Sequence, residues 1–300
     1  MKILIIGANG QLGWELVKRG EARDFDTVPL DLPEFDITDR SQVQKQVLQA
    51  NVSLVINAAA HTAVDRAESE AELAFGINRD GPSHLASSCA EEGIPLIHIS
   101  TDYVFDGRKK TPYSEKDPVC PLGVYGKSKA GGEARVRDLL QEHIILRTSW
   151  LYGTHGNNFV KTMIHVGREQ ELVRVVADQY GSPTYAGDLA DAILDIAVLI
   201  RKGGPIPWGT YHYCGKGETS WHGFAEKIFE LAGQHVSLKV RRVEAITTEA
   251  YPTPAKRPAW SCLDCSFIER QFHISPRPWQ KGLEEMICRM FTIQHENNDL

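Results

Sequence analysis

The 300-residue sequence lacks the residue patterns of a metalloprotein and of a disulfide-stapled domain. Its six cysteines are scattered, and the one close pair, Cys262 and Cys265, has no second pair or histidine at a zinc-like spacing. The eleven histidines form no His-x-x-x-His or comparable cluster. The sequence therefore predicts reduced thiols and indicates no dedicated metal centre.

Long apolar runs and an excess of positive charge are also missing. The most apolar helical stretch, residues 190–200, carries Asp191 and Asp195 and is too short to cross a bilayer. A net charge of -6 disfavours nucleic acid or an anionic membrane as the main partner. Because the first residues also lack the pattern of a leader peptide, we expect a soluble, cytoplasmic protein. Whether it is a monomer or a homodimer stays open.

Short apolar runs alternate with amphipathic stretches from the first residue to about residue 150. The predicted strands are residues 3–6, 27–30, 54–57, 96–100 and 143–147, and the predicted helices are residues 11–19, 41–50, 71–92 and 126–140. This alternation predicts an α/β fold built on a Rossmann-type doubly wound parallel sheet. Beyond residue 150 the alternation loosens into Gly/Pro-rich turns, which predicts a smaller, mainly substrate-binding lobe over residues 151–300.

The first predicted strand runs directly into a glycine-rich turn. Gly7, Gly10 and Gly13 are spaced three residues apart, and a helix is predicted to begin near Gln11. Such glycines let a pyrophosphate approach the backbone, while the helix N-terminus offers unpaired N–H groups to the anion. The same glycine spacing occurs in unrelated loops, so its place between a strand and a helix carries the argument. We therefore expect an NAD(P)-binding domain over residues 1–150, to which later segments return.

An acidic residue follows the second predicted strand. Asp31 stands where a carboxylate can accept a hydrogen bond from a ribose hydroxyl, which favours NADH over NADPH. Lys18 and Arg19 are close enough in sequence to offset that charge. Alternatively, Asp31 merely ends the strand. The choice between NADPH and NADH therefore stays open.

Two further segments match the walls of a nucleotide site. Asp36 and Ile37 combine an acceptor with an apolar side chain, as an adenine site does, although Asp36 is also suited to cap the following helix. Ala58 and Ala60 follow the third strand, where small residues let a flat cofactor lie against the backbone. Small residues also pack well there without any ligand.

The sequence contains one Tyr-x-x-x-Lys pair, Tyr125 and Lys129, whose side chains lie about one helical turn apart. A phenol has a pKa of about 10, but a nearby ammonium and an oxidised nicotinamide favour the phenolate and lower that pKa. We expect Tyr125 to donate a proton when a carbonyl is reduced. Thr101 ends a strand, so its hydroxyl is predicted to bind the substrate oxygen, or else to satisfy its own backbone.

With these residues the chain resembles the extended short-chain dehydrogenases/reductases and, among them, the dTDP-4-dehydrorhamnose reductase family, over nearly its whole length. The motifs that carry the resemblance are residues 6–13 (IGANGQLG), 57–65 (NAAAHTAVD), 100–107 (STDYVFDG), 124–129 (VYGKSK), 147–150 (RTSW), 178–184 (DQYGSPT) and 257–258 (RP).

The resemblance implies roles for particular residues. Thr101, Tyr125 and Lys129 would form the catalytic set. Asp102 and Trp150 would contact the sugar, unless Trp150 is plain core, and Arg257 would meet a pyrophosphate. The residues that it implies around the cofactor are Gly10, Gln11, Leu12, Asp31, Asp36, Ile37, Ala60, His61 and Thr62. It also implies NADPH or NADH as cofactor and leaves Mg²⁺ possible, without a motif that places its ligands.

The activity that the resemblance implies is reduction of the C4 carbonyl of dTDP-4-dehydro-L-rhamnose, a small-molecule nucleotide sugar, in the last step of dTDP-L-rhamnose synthesis. Another nucleotide-sugar reductase, epimerase or dehydratase is the nearest alternative, although Tyr103 stands where a dehydratase needs a second carboxylate. A non-catalytic regulatory subunit, like the beta subunit of methionine adenosyltransferase, is the other.

Overall fold

The computed structural model describes residues 1–298. The strands are β1 Lys2–Ile6, β2 Asp26–Leu30, β3 Leu54–Asn57, β4 Leu96–Thr101, β5 His143–Thr148, β6 Leu151–Tyr152, β7 Leu172–Val176, β8 Tyr180–Gly181, β9 Thr184–Tyr185, β10 Gly209–His212, β11 Thr219–Ser220 and β12 Arg242–Ile246. The helices are α1 Gln11–Glu21, α2 Arg40–Ala50, α3 Val64–Ala67, α4 Ala71–Phe75, α5 Gly81–Glu92, α6 Val124–Leu139, α7 Phe159–Glu169, α8 Ala186–Arg201, α9 Trp221–Ala232, α10 Ser266–Phe272 and α11 Trp279–Asn298. A π-helical turn, Gly76–Asp80, joins α4 to α5. Within residues 1–298, no helix is long and apolar enough to cross a membrane.

A parallel sheet organises the first half of the chain. Its strand order is β10-β5-β4-β3-β1-β2, and every neighbouring pair is parallel. The five predicted strands begin and end within one residue of the observed ones. This arrangement confirms the predicted Rossmann-type α/β fold. The strand β10 comes from beyond residue 150 and pairs with β5, while the division into residues 1–150 and 151–300 stays a prediction.

Alternate residues of strand β1, which has a neighbour on each side, enter different cores on the two faces of the sheet. Ile3 and Ile5 pack with apolar residues of α1 and α8, whereas Leu4 and Ile6 pack with those of α2 and α5. None of the four is more than 1% exposed. Burial on both faces explains why this strand is a continuous apolar run in the sequence.

A separate core lies between α7, α9 and α11. Val160, Phe224, Ile228, Leu283 and Met286 are among the residues buried there. The asparagine N-cap of α7 and the serine N-cap of α9 fix where these helices begin, since each side chain accepts a hydrogen bond from a first-turn N–H. The core formed by these helices thereby places Trp221, the first residue of α9, near the carboxyl ends of the sheet strands.

Gly13 lets helix α1 pack directly on the glycine turn. An added Cβ at Gly13 would lie 2.1 Å from the Gly7 carbonyl oxygen and 2.6 Å from the Ala8 Cα, and neither backbone atom can move aside easily. We expect Gly13→Ala to lower the free energy of unfolding by roughly 1–3 kcal/mol, the usual cost of overpacking, in a urea titration. Gly204→Ala is the control, because its Cβ would meet no atom within 4 Å. Equal losses in the two variants would contradict this role of Gly13.

Candidate active site

A cavity of about 790 Å³ opens at the carboxyl edge of the sheet, where β1, β3, β4 and β5 end. Ligands of open parallel sheets bind at this edge. Most of the predicted site residues line its wall. They are Gly7, Gly10, Gln11, Leu12, Asp31, Asp36, Ile37, Ala58, Ala60, Thr62, Thr101, Asp102, Tyr125, Lys129 and Trp150. Gly13, His61 and Arg257 lie outside the wall.

The glycine turn places the N-terminus of α1 at the cavity. Gly10 is the N-cap residue, no side chain caps this helix end, and the first turn carries no acidic residue. Gly7 has a φ of 82°, and a side chain there would meet the Ala59 backbone nitrogen at 2.5 Å. Uncapped N–H groups at a helix N-terminus favour an anion. The turn therefore fits the pyrophosphate of a dinucleotide, and Gly13 contributes by packing behind it.

Asp31 lies on the cavity wall and is tied to the surrounding backbone. Its carboxylate accepts hydrogen bonds from the N–H groups of Asn9 and Leu32, each at 2.8 Å. The ammonium of Lys18 lies over an aromatic ring of its own helix, and Arg19 forms ion pairs with acids of α1 and α8. Both cations therefore have partners other than Asp31, and the expectation that they offset its charge stays a prediction.

Asp36 and Ile37 form the adjoining part of the wall. The Asp36 carboxylate accepts hydrogen bonds from the N–H and the hydroxyl of Thr38, at 2.9 and 2.8 Å. The N-cap of α2 is Asp39, whose side chain accepts from two N–H groups of the first turn. The alternative in which Asp36 caps this helix is therefore wrong. Asp36 and Ile37 stay candidates for an adenine site.

Asn78 holds the small-residue loop that follows β3. Its side chain accepts from the His61 N–H at 2.8 Å, and it donates to the His61 carbonyl at 3.1 Å and to the Ser128 hydroxyl at 3.0 Å. This fully buried amide therefore joins the loop to α6. The His61 imidazole lies 3.2 Å from the Glu70 carboxylate, which explains why it does not line the cavity.

Helix α6 lies unusually close to its neighbours because glycines stand at its contacts. A Cβ at Gly132 would lie 2.1 Å from the Asn78 carbonyl oxygen, and one at Gly126 would lie 2.2 Å from the Tyr103 carbonyl oxygen. Glycine in a helix costs roughly 1 kcal/mol relative to alanine. In α6 the close packing offsets this cost, because a side chain at either position would collide with a backbone carbonyl of the neighbouring segment.

Tyr125 and Lys129 both line the cavity from α6. Lys129 is buried, and its ammonium donates a hydrogen bond to the Ile99 carbonyl at 2.6 Å. Burial lowers the pKa of Lys129 to about 8, and the charge of Glu133 acts in the opposite direction. Burial raises the pKa of Tyr125 to about 12, although a hydrogen bond with Thr101 lowers it. In the protein alone burial therefore dominates the pKa of Tyr125, and the lowering expected with an oxidised nicotinamide bound stays a prediction. The phenol is protonated at neutral pH, as a proton donor must be.

Thr101 and Asp102 lie side by side at the end of β4. The Thr101 hydroxyl donates to the Asp102 carboxylate at 2.9 Å and accepts from the Tyr103 N–H at 3.2 Å, so it also satisfies local backbone. Burial raises the pKa of Asp102 to about 6, and hydrogen bonds oppose this rise. The second oxygen of this carboxylate has no hydrogen-bond partner among the described residues. Because Asp102 lines the cavity, its carboxylate is a candidate to accept a hydrogen bond from a ligand.

A buried ion pair anchors α6 to the sheet. Glu133, one turn after Lys129, accepts from the Arg147 guanidinium at 2.6 and 2.8 Å and from the Ser100 hydroxyl at 2.6 Å. The side chains of Arg147 and Glu133 are 3% and 0% exposed. Burial alone would raise the pKa of Glu133, but Arg147 outweighs it and holds the pKa below 4.5. Ser100 lies in β4 directly before Thr101. Through Ser100, Glu133 therefore fixes the position of α6 relative to the end of β4.

Trp150 lies on the cavity wall, but its ring is covered. Its indole stacks on that of Trp221, with ring centres 3.6 Å apart and planes inclined by 7°. Gly181 lies against the same indole, since a Cβ there would come within 2.4 Å of it. Trp221 also lines the cavity and is a site residue that the sequence analysis missed. The two stacked tryptophans therefore form one continuous part of the cavity wall.

Arg257 is held by protein groups outside the cavity. Its guanidinium donates to the two carboxylate oxygens of Asp65 at 2.8 and 3.3 Å, and also to the Thr253 hydroxyl. This ion pair ties the segment before Pro258 to helix α3. The predicted contact of Arg257 with a pyrophosphate stays a prediction.

The fold and this site together define a nicotinamide-dependent oxidoreductase of the extended short-chain dehydrogenase/reductase class. A family model described as RmlD substrate binding domain matches residues 1–292. The chain belongs to this family.

Similar proteins agree with this assignment. A dTDP-4-dehydrorhamnose reductase of Aggregatibacter actinomycetemcomitans is 45% identical over 287 residues, which cover 95% of this chain and 98% of that protein. The crystal structure of a dTDP-4-dehydrorhamnose reductase from Clostridium acetobutylicum has a TM-score of 0.90 at 43% identity, covering 97% of this chain and 99% of that one. A Bacillus anthracis dTDP-4-dehydrorhamnose reductase in complex with NADP has a TM-score of 0.89 at 41% identity, covering 96% and 99%. They confirm the resemblance inferred from the motifs.

Proposed function

We propose that the protein reduces the C4 carbonyl of dTDP-4-dehydro-L-rhamnose with NADPH or NADH and yields dTDP-L-rhamnose, the last step of dTDP-rhamnose synthesis. The observation that carries the proposal is the convergence of Thr101, Tyr125 and Lys129 on one cavity with an uncapped helix N-terminus. The substrate identity is supported by the curated relatives, whose names state this activity and which match almost the full chain.

Each residue of the site has a separate role in the reduction of the carbonyl group. When bound, the reduced nicotinamide supplies the hydride. Tyr125 donates the proton to the carbonyl oxygen, and its raised pKa keeps that proton in place until charge develops on the oxygen. Thr101, which lines the same cavity as Tyr125, orients the same oxygen. Lys129 contributes a positive charge and a ribose contact from the next turn of α6.

The cofactor choice rests on two observations that point in different directions. The Bacillus anthracis relative is in complex with NADP, which supports NADPH. The Asp31 carboxylate on the cavity wall disfavours a 2′-phosphate and supports NADH. We therefore propose that both reduced cofactors are used. Mg²⁺ is not assigned to any residue.

The sugar side of the cavity is formed by Asp102, Trp150 and Trp221. The Asp102 carboxylate, which lines the cavity, accepts a hydrogen bond from a sugar hydroxyl. The indoles of the stacked tryptophans supply an apolar surface for the deoxysugar. Tyr103 follows Asp102 where a dehydratase needs a second carboxylate, so simple reduction is favoured over elimination.

Trp221→Ala tests the tryptophan stack. We expect the KM for the nucleotide sugar to rise by roughly tenfold, the upper range for an aromatic contact, while the KM for NADPH stays within about twofold. Steady-state kinetics with each substrate varied in turn measure both. Trp208→Ala is the matched control, since Trp208 packs against the core on the α8 side of the sheet rather than at the cavity. An unchanged sugar KM would contradict the proposed contact.

The proposed function is tested by mixing the native chain with NADPH and dTDP-4-dehydro-L-rhamnose and following the absorbance of the reduced nicotinamide. Turnover that depends on both substrates and yields dTDP-L-rhamnose supports the reductase. If the chain binds NADPH and never oxidises it with this or related 4-dehydro sugars, a regulatory subunit is the better account.

A further inference from the structure

Two cysteines that are distant in sequence meet at a second cavity of the protein. Cys214 follows β10, and Cys265 directly precedes α10. Their Sγ atoms lie 3.6 Å apart, and the Cys214 N–H also donates to the Cys265 Sγ at 3.3 Å. Since Cys265 follows Cys214 by 51 positions in the chain, only the fold brings them together.

A second cavity gives small molecules a route to this pair. Its volume is about 380 Å³. Cys214 and Cys265 line it, together with Cys262 and Lys216. Cys214 itself is only 2% exposed, so the cavity rather than the outer surface determines its accessibility. Residues of the catalytic cavity such as Tyr125 and Lys129 do not line it.

The two thiols are unequal in acidity. A hydrogen bond from Cys265 lowers the pKa of Cys214, because the neighbouring S–H stabilises the thiolate. By contrast, burial raises the pKa of Cys262 and that of Cys89 to about 12. Among these buried cysteines, Cys214 is therefore best placed to act as a nucleophile.

We propose that Cys214 and Cys265 form a reversible thiol pair, a modification site that reacts with small disulfides entering the second cavity. The Cys214 thiolate attacks one sulfur of the disulfide, forms a mixed disulfide and releases one small thiolate. The Cys265 thiol then loses its proton and attacks Cys214 Sγ, which forms the Cys214–Cys265 disulfide and releases the second small thiol. The two protein thiols are oxidised, and the small disulfide is reduced to two thiols.

The geometry requires only a modest movement for this bond. Sulfurs in a disulfide are about 2.05 Å apart, so the two Sγ atoms must approach by roughly 1.5 Å, within reach of side-chain rotation. The bond would join the end of β10 to the start of α10 and close a loop of 51 residues. Closing such a loop constrains the unfolded chain, so the oxidised protein should be more stable to heat.

The test treats the full chain with 2-hydroxyethyl disulfide under native conditions, followed by alkylation and peptide mapping. We expect a peptide pair linked through Cys214 and Cys265, an intact mass lower by two hydrogens, and a Tm raised by several degrees that dithiothreitol reverses. In Cys265→Ser we expect the mixed disulfide to accumulate on Cys214. Cys120→Ser is the matched control and keeps the cross-link, because Cys120 is exposed and does not line the second cavity.

The proposal would be overturned if Cys214 and Cys265 were recovered as alkylated thiols while the mixed disulfide formed only on Cys120 or Cys288. A mixed disulfide that forms on Cys265 in Cys214→Ser but never on Cys214 in Cys265→Ser would overturn the assigned order of attack. The map of the native chain is decisive even if either serine variant fails to fold. None of these readouts depends on the reductase activity.

Discussion

Tyr125→Phe is expected to lower kcat by about 10²–10⁴-fold, the usual contribution of a positioned general acid. The substitution removes the hydroxyl and keeps the ring, which packs edge-on against Tyr103 with ring centres 5.4 Å apart. Because the lost proton matters only when the carbonyl oxygen gains charge, the KM for the sugar should change little. Steady-state kinetics with NADPH and dTDP-4-dehydro-L-rhamnose, together with an NADPH binding isotherm, measure the two quantities.

Tyr113→Phe is the matched control for that variant. Tyr113 is also a buried tyrosine, and its hydroxyl donates to Asp106 at 2.8 Å, away from the cavity. It should keep kcat within a few-fold. A Tyr125→Phe enzyme that retains most of its kcat would show that another group donates the proton, and the assignment of Tyr125 would fail.

Glu133→Gln is expected to cost about 3–5 kcal/mol of stability, because it leaves the buried Arg147 guanidinium without its counter-charge. The Glu133 carboxylate also accepts from Ser100, so the loss should loosen the contact between α6 and β4. We therefore expect kcat to fall as well, since Thr101 and Lys129 are held by these two elements. Urea unfolding and steady-state kinetics measure the two effects.

Arg137→Ala is the control for the ion pair. Arg137 contacts the same Glu133 carboxylate at 3.1 Å, but its side chain is 40% exposed. Exposed pairs contribute less than about 1 kcal/mol, so this variant should remain close to the native stability. Equal losses from Glu133→Gln and Arg137→Ala would contradict the view that burial of the Arg147 contact makes it important.

The buried ion pair between Glu133 and Arg147 makes the free energy of unfolding depend on pH. The pKa of Glu133 in the folded protein lies below 4.5, its ordinary value. A carboxyl with a lowered folded-state pKa contributes stability that is present above its ordinary pKa and is lost as the pH falls through the folded-state value. Below an ordinary pKa of 4.5 the Glu133→Gln variant and the native protein should therefore converge in stability.

Local patterns were sufficient to predict the sheet and many of the residues that line the cavity. Parallel strands buried on both faces are continuous apolar runs, so strands such as β1 and β3 could be placed to within one residue. The glycine turn, Asp31 and the pair on α6 were also predictable, because each motif lies on a single strand-to-helix step or a single helical turn.

The remaining parts of the site depend on contacts between distant segments. Trp221 reaches Trp150 from 71 residues further along the chain, and its sequence context is that of an ordinary amphipathic helix. Asn78 and Glu133 are polar residues in helices, where most such side chains face water. Only the close approach made possible by the glycines of α6 turns them into buried connectors. The burial that raises the pKa of Tyr125 in the protein alone was also not predictable, because burial cannot be read from the spacing of two residues.

The most direct test of the account uses NADPH that carries deuterium at the nicotinamide C4 position, on the face from which hydride is transferred. The native chain is incubated with this cofactor and dTDP-4-dehydro-L-rhamnose, and the product is examined by mass spectrometry and NMR. We predict dTDP-L-rhamnose with one deuterium, bound to C4 of the sugar. A sugar product without deuterium, or with deuterium at another carbon, would contradict reduction at C4 by this protein.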